Sequence, residues 1–308
     1  MLVNSGVGIP LDQILPRVSR PARYTGGEWN QIVKDHRDVA VTFAFAFPDV
    51  YEVGMSHLGL KIIYHLLNRR DEVVCERVFA PWVDMEAEMR ERGVPLFSLE
   101  TRTPLSRFDI IGFTLQYEMT YTNVVNMLDL AGIPALASER GPEWPLVMAG
   151  GPAALNPEPV AGLFDCILIG DAEDAIDEML DVFKDWKAAA RRASDSRARS
   201  AGGDKAELLS RLAGIEGCYV PSLYRPEYDR DGTVSRVEAM AGAPARVRRR
   251  IARSLDLDDY PLAPPVPYLD AVHDRAIVEV MRGCTRGCRF CQAGMVYRPV
   301  RERPAADV

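Results

Sequence analysis

Three cysteines close to the carboxyl terminus have the type and spacing of ligands for an iron–sulfur cluster. Cys284, Cys288 and Cys291 form a C-x3-C-x2-C loop, and each thiolate of such a loop can bind one iron of a 4Fe–4S cubane. Three ligands leave the fourth iron with an open coordination position, which a catalytic metal requires. The arginines within the loop favour thiolates, because nearby positive charge lowers the pKa of a thiol. The loop therefore predicts a catalytic cluster.

The residues beside these cysteines suit the same interpretation. Gly283 and Gly287 allow the backbone to turn tightly around a cluster, and Phe290 is expected to shield one side of it from water. The apolar segment 275–281 (RAIVEVM) predicts a strand that runs straight into the loop.

A structural zinc site is the alternative for the same loop. It would use the three cysteines and a fourth ligand such as His273, but zinc sites usually pair cysteines as C-x2-C units, and only one such pair exists here. The spacing therefore favours the iron–sulfur cluster. The other cysteines lie inside apolar runs at wide spacing and are predicted to be core residues: Cys75, Cys166 and Cys218.

Upstream of the loop, apolar strand patterns alternate with helix patterns. This alternation predicts an α/β fold with a doubly wound, Rossmann-like parallel sheet and right-handed crossovers. The predicted strands are 39–47, 73–79, 109–114, 146–149 and 166–169, and the predicted helices are 57–68, 84–92, 121–131 and 172–186.

Composition changes along the chain predict five regions. An irregular lead-in (1–38) precedes the sheet domain (39–186), and a linker rich in Ala, Arg, Ser and Gly (187–205) follows it. A connector (206–270) contains a β-hairpin, 218–228 and 233–240, turning at Asp231-Gly232. The last region (271–308) begins another domain with the strand and the cysteine loop.

Ligands of doubly wound sheets bind beyond the carboxyl ends of the strands. The loops 48–57, 114–120, 150–158 and 170–173 are all predicted to lie at that edge. Asp171 and Glu173, in the last of these loops, could contact a ligand or cap the next helix, and acidic residues in a first helical turn are usually caps.

The overall charge and hydropathy exclude some classes of function. A net charge of −7 argues against broad binding to nucleic acid, and the arginine-rich run 246–253 is predicted to be a solvated face. No run reaches the ~20 apolar residues that span a bilayer, and the amino terminus lacks the pattern of a leader, so a cytoplasmic protein without membrane contact is expected. A non-catalytic α/β module, binding a protein or RNA partner through its arginine-rich end, is the second functional class.

The cysteine loop, with an aromatic residue before its last cysteine and a strand before its first, resembles the radical S-adenosylmethionine superfamily. The longer segment HDRAIVEVMRGCTRGCRFCQAGMVYRPVRER resembles a branch with an N-terminal cobalamin-binding-like domain. Upstream segments resemble the same branch: FPDVYEVGMSHLGLKIIYHLLN, GFTLQYEMTYTN, AGGPAALNPEP, IGDAE and EGCYVPSLY.

This resemblance implies that Cys284, Cys288 and Cys291 hold a 4Fe–4S cluster whose open iron binds S-adenosylmethionine. An electron donor such as a flavodoxin or ferredoxin would reduce the cluster, and cleavage would yield a 5′-deoxyadenosyl radical that attacks an unknown substrate. The catalytic domain of such enzymes is a partial (β/α) barrel. Only seventeen residues (308 minus 291) follow Cys291, so we expect an incomplete barrel and a chain that does not turn over S-adenosylmethionine alone.

The resemblance leaves cobalamin binding open. Thr114, Gly150 and Gly151 fall where cobalamin domains cradle the nucleotide tail. In the D-x-H-x-x-G motif that ligates cobalt, however, Met55 replaces the aspartate that orients the histidine. We therefore expect any cobalamin to bind without His57, which is predicted to lie at a helix amino terminus.

Overall fold

The computed structural model describes residues 9–195, 204–240, 242–252, 254–273 and 275–308. Its centre is a six-stranded sheet in the order β2-β1-β3-β4-β5-β6. The first five strands are parallel, and β6 runs antiparallel to β5. The strands are β1 (Val41–Phe47), β2 (Val73–Phe79), β3 (Ile110–Thr114), β4 (Leu146–Gly150), β5 (Cys166–Leu168) and β6 (Cys218–Tyr219).

Helices cover both faces of the sheet, which explains why β1, β3 and β4 are nearly continuous apolar runs. One face packs against α1 (Leu11–Ile14), α4 (Val83–Arg92) and α5 (Tyr121–Leu130). The other packs against α2 (Tyr51–Met55), α3 (Leu58–Asn68), α6 (Glu173–Asp195) and α7 (Lys205–Ala213). The seven residues of β1 are all buried. Its phenylalanines face the second set of helices, and its alanines Ala44 and Ala46 face the first.

The predicted α/β fold and its parallel strands are confirmed, with differences at the edge and in the loops. The sheet gains β6, whose two residues are too few to show an alternating pattern. A 3-10 turn, Pro221–Leu223, separates β6 from the hairpin, so the predicted strand 218–228 is two elements. The hairpin pairs β7 (Tyr224–Tyr228) with β8 (Val234–Ala239).

Helix α6 continues to Asp195, past the end predicted at Trp186. The Ala- and Arg-rich sequence that suggested a linker also has high helix propensity. Lys187 fixes the extension, because its ammonium contacts the Asp109 carboxylate at 2.5 Å and the Ala40 carbonyl at 2.8 Å. Residues 196–203 of the predicted linker lie outside the described residues, and the predicted division into domains stays a prediction.

The predicted strand 275–281 is wrong over most of its length. Only β9 (Met281–Arg282) forms, and it pairs antiparallel with β10 (Arg301–Glu302) rather than beside a parallel neighbour. Strands need a partner, and among the described residues only β10 provides one here. Val278 and Val280 of the predicted strand are about half exposed. The remaining helix, α8 (Ala293–Val296), lies between the cysteine loop and β10.

The lead-in is more ordered than expected over the residues described. Leu11 and Ile14 of α1 are buried in the core, and the Lys34 ammonium donates to three carbonyl oxygens at the end of α3 and the start of β2. The lead-in therefore packs as part of the sheet domain. Within the parts of the chain that the structure covers, no helix combines the length and apolarity needed to cross a membrane.

Candidate cluster loop and sheet-edge site

The cysteine loop stands on the surface with its thiols accessible. Cys288 is exposed, while Cys284 and Cys291 are partly exposed. The loop turns through a hydrogen bond from the Cys291 N–H to the Cys288 carbonyl at 3.0 Å. The Arg286 N–H donates to the Cys284 sulfur at 3.4 Å. Phe290 is 92% exposed, so its predicted shielding role stays a prediction.

The donor chemistry of this loop fits a cluster, although its thiols are not yet gathered around one point. No group of three or more His, Cys, Asp or Glu side chains converges in metal-binding geometry within the described residues. The three thiols nevertheless lie within eight positions of the chain, and no described residue lies within 4 Å of a Cβ built on Gly287. Binding therefore requires the three sulfurs to move closer together.

The other three cysteines lie in the core, as predicted. Cys75, Cys166 and Cys218 are at most 1% exposed. Burial raises the pKa of the Cys75 thiol, and a hydrogen bond with Cys218 together with burial raises that of Cys166. Ligands for iron must be thiolates, so these shifts argue against both cysteines as ligands.

Ion pairs fix the base of the cysteine loop to the carboxyl edge of the sheet. The guanidinium of Arg282, two residues before Cys284, contacts Glu173 at 2.7 Å and Asp171 at 3.5 Å. It also contacts Glu279 at 3.0 Å. Burial lowers the pKa of Arg282, but the hydrogen bonds and charges of Glu279 and Glu173 outweigh it and hold the pKa above its usual value.

The far end of the loop is held by the same carboxylates. Arg301 on β10 donates to Asp171 and, at 2.9 Å, to the Ala252 carbonyl. Arg303 donates to the Glu279 carbonyl at 2.9 Å, and its guanidinium lies 5.0 Å from the centre of the Tyr260 ring. We call the six charged residues the arginine clasp: Asp171, Glu173, Glu279, Arg282, Arg301 and Arg303.

Gly283 is required where the loop leaves β9. Its φ is +99°, and a Cβ there would lie 2.7 Å from the Tyr297 carbonyl oxygen and 2.8 Å from that of Pro299. The tight turn predicted at Gly283 is confirmed. Gly287 has neither a positive φ nor a close neighbour among the described residues, so the loop does not require glycine there.

A second feature of the sheet edge is a small apolar cavity between α3 and α6. Thr114 ends β3 and pairs in register with Gly150, which ends β4. Both residues and Gly151 border the cavity, whose volume is about 100 Å³. Its walls are apolar and include Phe45, Gly112, Ile63, Met148, Ile176 and Met179. The sequence thus located three residues that the fold brings together, but no pattern predicted the cavity itself.

The turn from Gly170 to Glu173 connects the cavity to the loop. Gly170 and Ala172 line the cavity, whereas Asp171 and Glu173 belong to the arginine clasp. The expectation was that the two acids contact a ligand or cap α6. It did not include their arginine partner Arg282, which follows more than 100 positions later in the sequence. The sequence did show the two sets of residues that form the clasp: acidic residues directly after a strand, and arginines on either side of the cysteines.

His57 is the amino-terminal capping residue of α3, as predicted. Its Nδ1 accepts the Leu60 N–H at 3.3 Å, and its ring packs against Phe47 with 5.6 Å between ring centres. Burial lowers the pKa of His57. Met55 is buried, and its sulfur lies 3.2 Å from a guanidinium nitrogen of Arg77. Nδ1 of the imidazole is therefore used in capping α3.

Comparison with known proteins identifies the family of this chain. The family described as "Radical SAM proteins, N-terminal" matches residues 59–221, more than half of the 308 residues, so the chain belongs to it. The match covers the sheet domain from α3 to the residues after β6 and ends before the cysteine loop. Membership supports a radical S-adenosylmethionine-type protein and does not favour the non-catalytic zinc module.

One curated relative is similar over most of the chain. It is an uncharacterized protein of Methanocaldococcus jannaschii, 26% identical over 267 residues. The similarity covers 86% of this chain and 44% of the relative. The chain thus spans less than half the length of the relative that it matches.

Proposed function

We propose that this chain provides the cluster loop of a radical S-adenosylmethionine enzyme. Cys284, Cys288 and Cys291 would hold a 4Fe–4S cluster, and its open iron would bind the amino and carboxylate groups of S-adenosylmethionine. One observation carries the proposal: the three accessible thiols lie on a loop whose base is paired to the sheet edge of a radical SAM family domain.

The residues of this chain would prepare the loop for that cofactor. Arg286 and Arg289 are exposed within the loop, where their side chains could face a bound cluster and its ligand. Phe290 would fold over one side of the cluster and exclude water. When bound and reduced by a flavodoxin or ferredoxin, the cluster would supply the electron that cleaves the carbon–sulfur bond of S-adenosylmethionine.

The electron paramagnetic resonance (EPR) spectrum of the reduced protein tests this function. After anaerobic reconstitution and reduction with dithionite, we expect a cluster signal that changes when S-adenosylmethionine is added, because one iron lacks a protein ligand. 5′-Methylthioadenosine, which lacks the amino and carboxylate groups that would bind the open iron, serves as the control ligand. A reconstituted protein that binds only zinc, or a signal indifferent to S-adenosylmethionine, would contradict the proposal.

Cobalamin is a candidate second ligand, supported by the cavity at the sheet edge. A buried apolar space bordered by Thr114, Gly150 and Gly151 suits an aromatic ring of a nucleotide tail. Its volume of about 100 Å³ is below the ~150 Å³ of a cavity that accepts benzene. Binding would therefore have to move α6 away from α3.

Titration with hydroxocobalamin tests this second ligand. Gly150→Val should abolish binding without unfolding the protein, because the nearest atom to a Cβ on Gly150 is 3.7 Å away. His57→Ala should bind with an unchanged absorption spectrum, since its imidazole is used to cap α3. A changed cobalt spectrum in His57→Ala would show that this histidine does ligate the metal.

A further inference from the structure

We infer that Asp171 and Glu173 are positioning residues that hold the cysteine loop beside the mouth of the apolar cavity. This inference rests on the proposed function, because it assigns these two carboxylates the task of placing the cluster. The two carboxylates form ion pairs with the guanidinium groups of Arg282 and Arg301. These two arginines lie before and after the three cysteines in the chain.

The arginine clasp is shielded from solvent and balanced in charge. The carboxylate side chains of Asp171, Glu173 and Glu279 are 15%, 10% and 12% exposed. The guanidinium side chains of Arg282, Arg301 and Arg303 are 15%, 8% and 4% exposed. Three negative charges thus face three positive charges in a partly buried site. Removing one member leaves the shielded network with an uncompensated charge, so a change at any one position should weaken the whole clasp.

Backbone contacts lock the turn that carries the two carboxylates. Gly170 has a φ of +121°, and a Cβ there would lie 2.0 Å from the Arg250 carbonyl oxygen. The Asp171 N–H donates to the same oxygen at 3.0 Å. The Asp171 carboxylate also accepts the Ala252 N–H at 2.9 Å. The carboxylates therefore stand on a fixed support, and the loop is positioned relative to the sheet.

The same turn forms part of the cavity wall, which gives the clasp a role beyond stability. Gly170 and Ala172 border the cavity, and they alternate along the chain with Asp171 and Glu173. A molecule seated in the cavity would touch the turn that holds Arg282. The clasp therefore sets the position of the thiols relative to any substrate or cofactor bound at the sheet edge.

Hydrogen exchange of the cluster-free protein tests the clasp directly. Glu173→Gln should speed amide exchange at least tenfold within residues 281–303, without affecting the sheet strands. Glu88→Gln is the matched control, because Glu88 is as buried as Glu173 and likewise forms ion pairs with arginine, here with Arg17 and Arg92. Unchanged exchange in Glu173→Gln, or equal acceleration of residues 281–303 in the control, would overturn the inference.

Charge reversal then separates positioning from mere stabilisation. Arg282→Glu and Glu173→Arg should each lose the change in the EPR signal that S-adenosylmethionine causes, and the double variant should restore it along with slow exchange. A double variant that behaves like either single one would overturn the pairing. If the wild-type protein takes up no cluster, the proposed function fails, whereas the exchange experiment still decides whether the clasp exists.

Discussion

At the scale of single residues, Gly150, which ends β4, and Gly151, which follows it, have different reasons to be glycine. Gly151 has a φ of +103°, and a Cβ there would lie 2.7 Å from the Leu115 carbonyl oxygen. Gly150 has ordinary backbone angles and only ordinary contacts. The fold therefore needs Gly151, while Gly150 keeps the cavity mouth free of a side chain.

This difference predicts opposite results for two alanine variants. Gly151→Ala should lower the free energy of unfolding by about 1–3 kcal/mol, because it combines a strained backbone with a close contact. Gly150→Ala should change it by less than ~0.5 kcal/mol, as expected for a position without such constraints. Urea unfolding of both variants measures this difference. Equal losses in the two would mean that the contacts at Gly151 relax freely.

A second residue-scale feature is the buried arginine on the edge strand β2. Arg77 is fully buried and pairs with Glu28 at 2.9 Å and with Glu100 at 2.6 Å. Two carboxylates share one guanidinium, so the site holds an excess negative charge. Burial raises the pKa of Glu100 to about 7, outweighing the opposing effect of Arg77.

The raised pKa predicts a pH-dependent stability. The folded protein holds a proton on Glu100 that the unfolded chain releases near pH 4.5. The resulting stabilisation is complete below pH 4.5 and is lost as the pH rises through about 7. From pH 5 to pH 8 the wild type should therefore lose about 1–3 kcal/mol relative to Glu100→Gln. Urea unfolding of both proteins at the two pH values measures this change in the free energy of unfolding. If the difference between the wild type and Glu100→Gln were the same at both pH values, Glu100 would be ionised throughout.

The candidate cluster cysteines were the easiest site residues to predict, and the clasp was the hardest. Cys284, Cys288 and Cys291 lie within one short loop, so their spacing alone carries the chemistry. Asp171 meets Arg301 from 130 positions away. Such a contact depends on the path of the whole chain between the two residues, and a local pattern carries no record of that path.

At the scale of elements, strands buried on both faces were predictable and paired edges were not. The apolar runs of β1, β3 and β4 are long enough to identify a strand without knowing its neighbours. Strand β6 has two residues, and it pairs antiparallel with β5, which precedes it by about 50 positions. The segment 275–281 has a strand-like composition, but composition does not provide the neighbour that a strand needs.

Helix α7, which was not predicted, should contribute strongly to stability. Leu212 on α7 is fully buried against the sheet face that α6 also covers. Leu212→Ala should cost about 2–5 kcal/mol in the free energy of unfolding. Val237→Thr, on the exposed hairpin strand β8, is the control and should change it by less than ~0.5 kcal/mol. A loss of similar size in both variants would show that the hairpin is part of the core.

At the scale of the whole molecule, the chain combines a buried sheet domain with an accessible cysteine loop. The sheet domain provides the family match and a locked carboxyl edge. The loop provides three accessible thiols within eight positions of the chain. The arginine clasp joins the two, so that the chemistry would be set at the edge where ligands of doubly wound sheets bind.

The central claim is that Cys284, Cys288 and Cys291, and not the core cysteines, hold a 4Fe–4S cluster. Iron and acid-labile sulfide should be measured after anaerobic reconstitution. The wild type and a variant with Ala at the three core positions should each contain about four irons and four sulfides per chain. Alanine at Cys288 alone should abolish this content. A complete cluster retained in Cys288→Ala, or zinc as the only bound metal, would contradict the account.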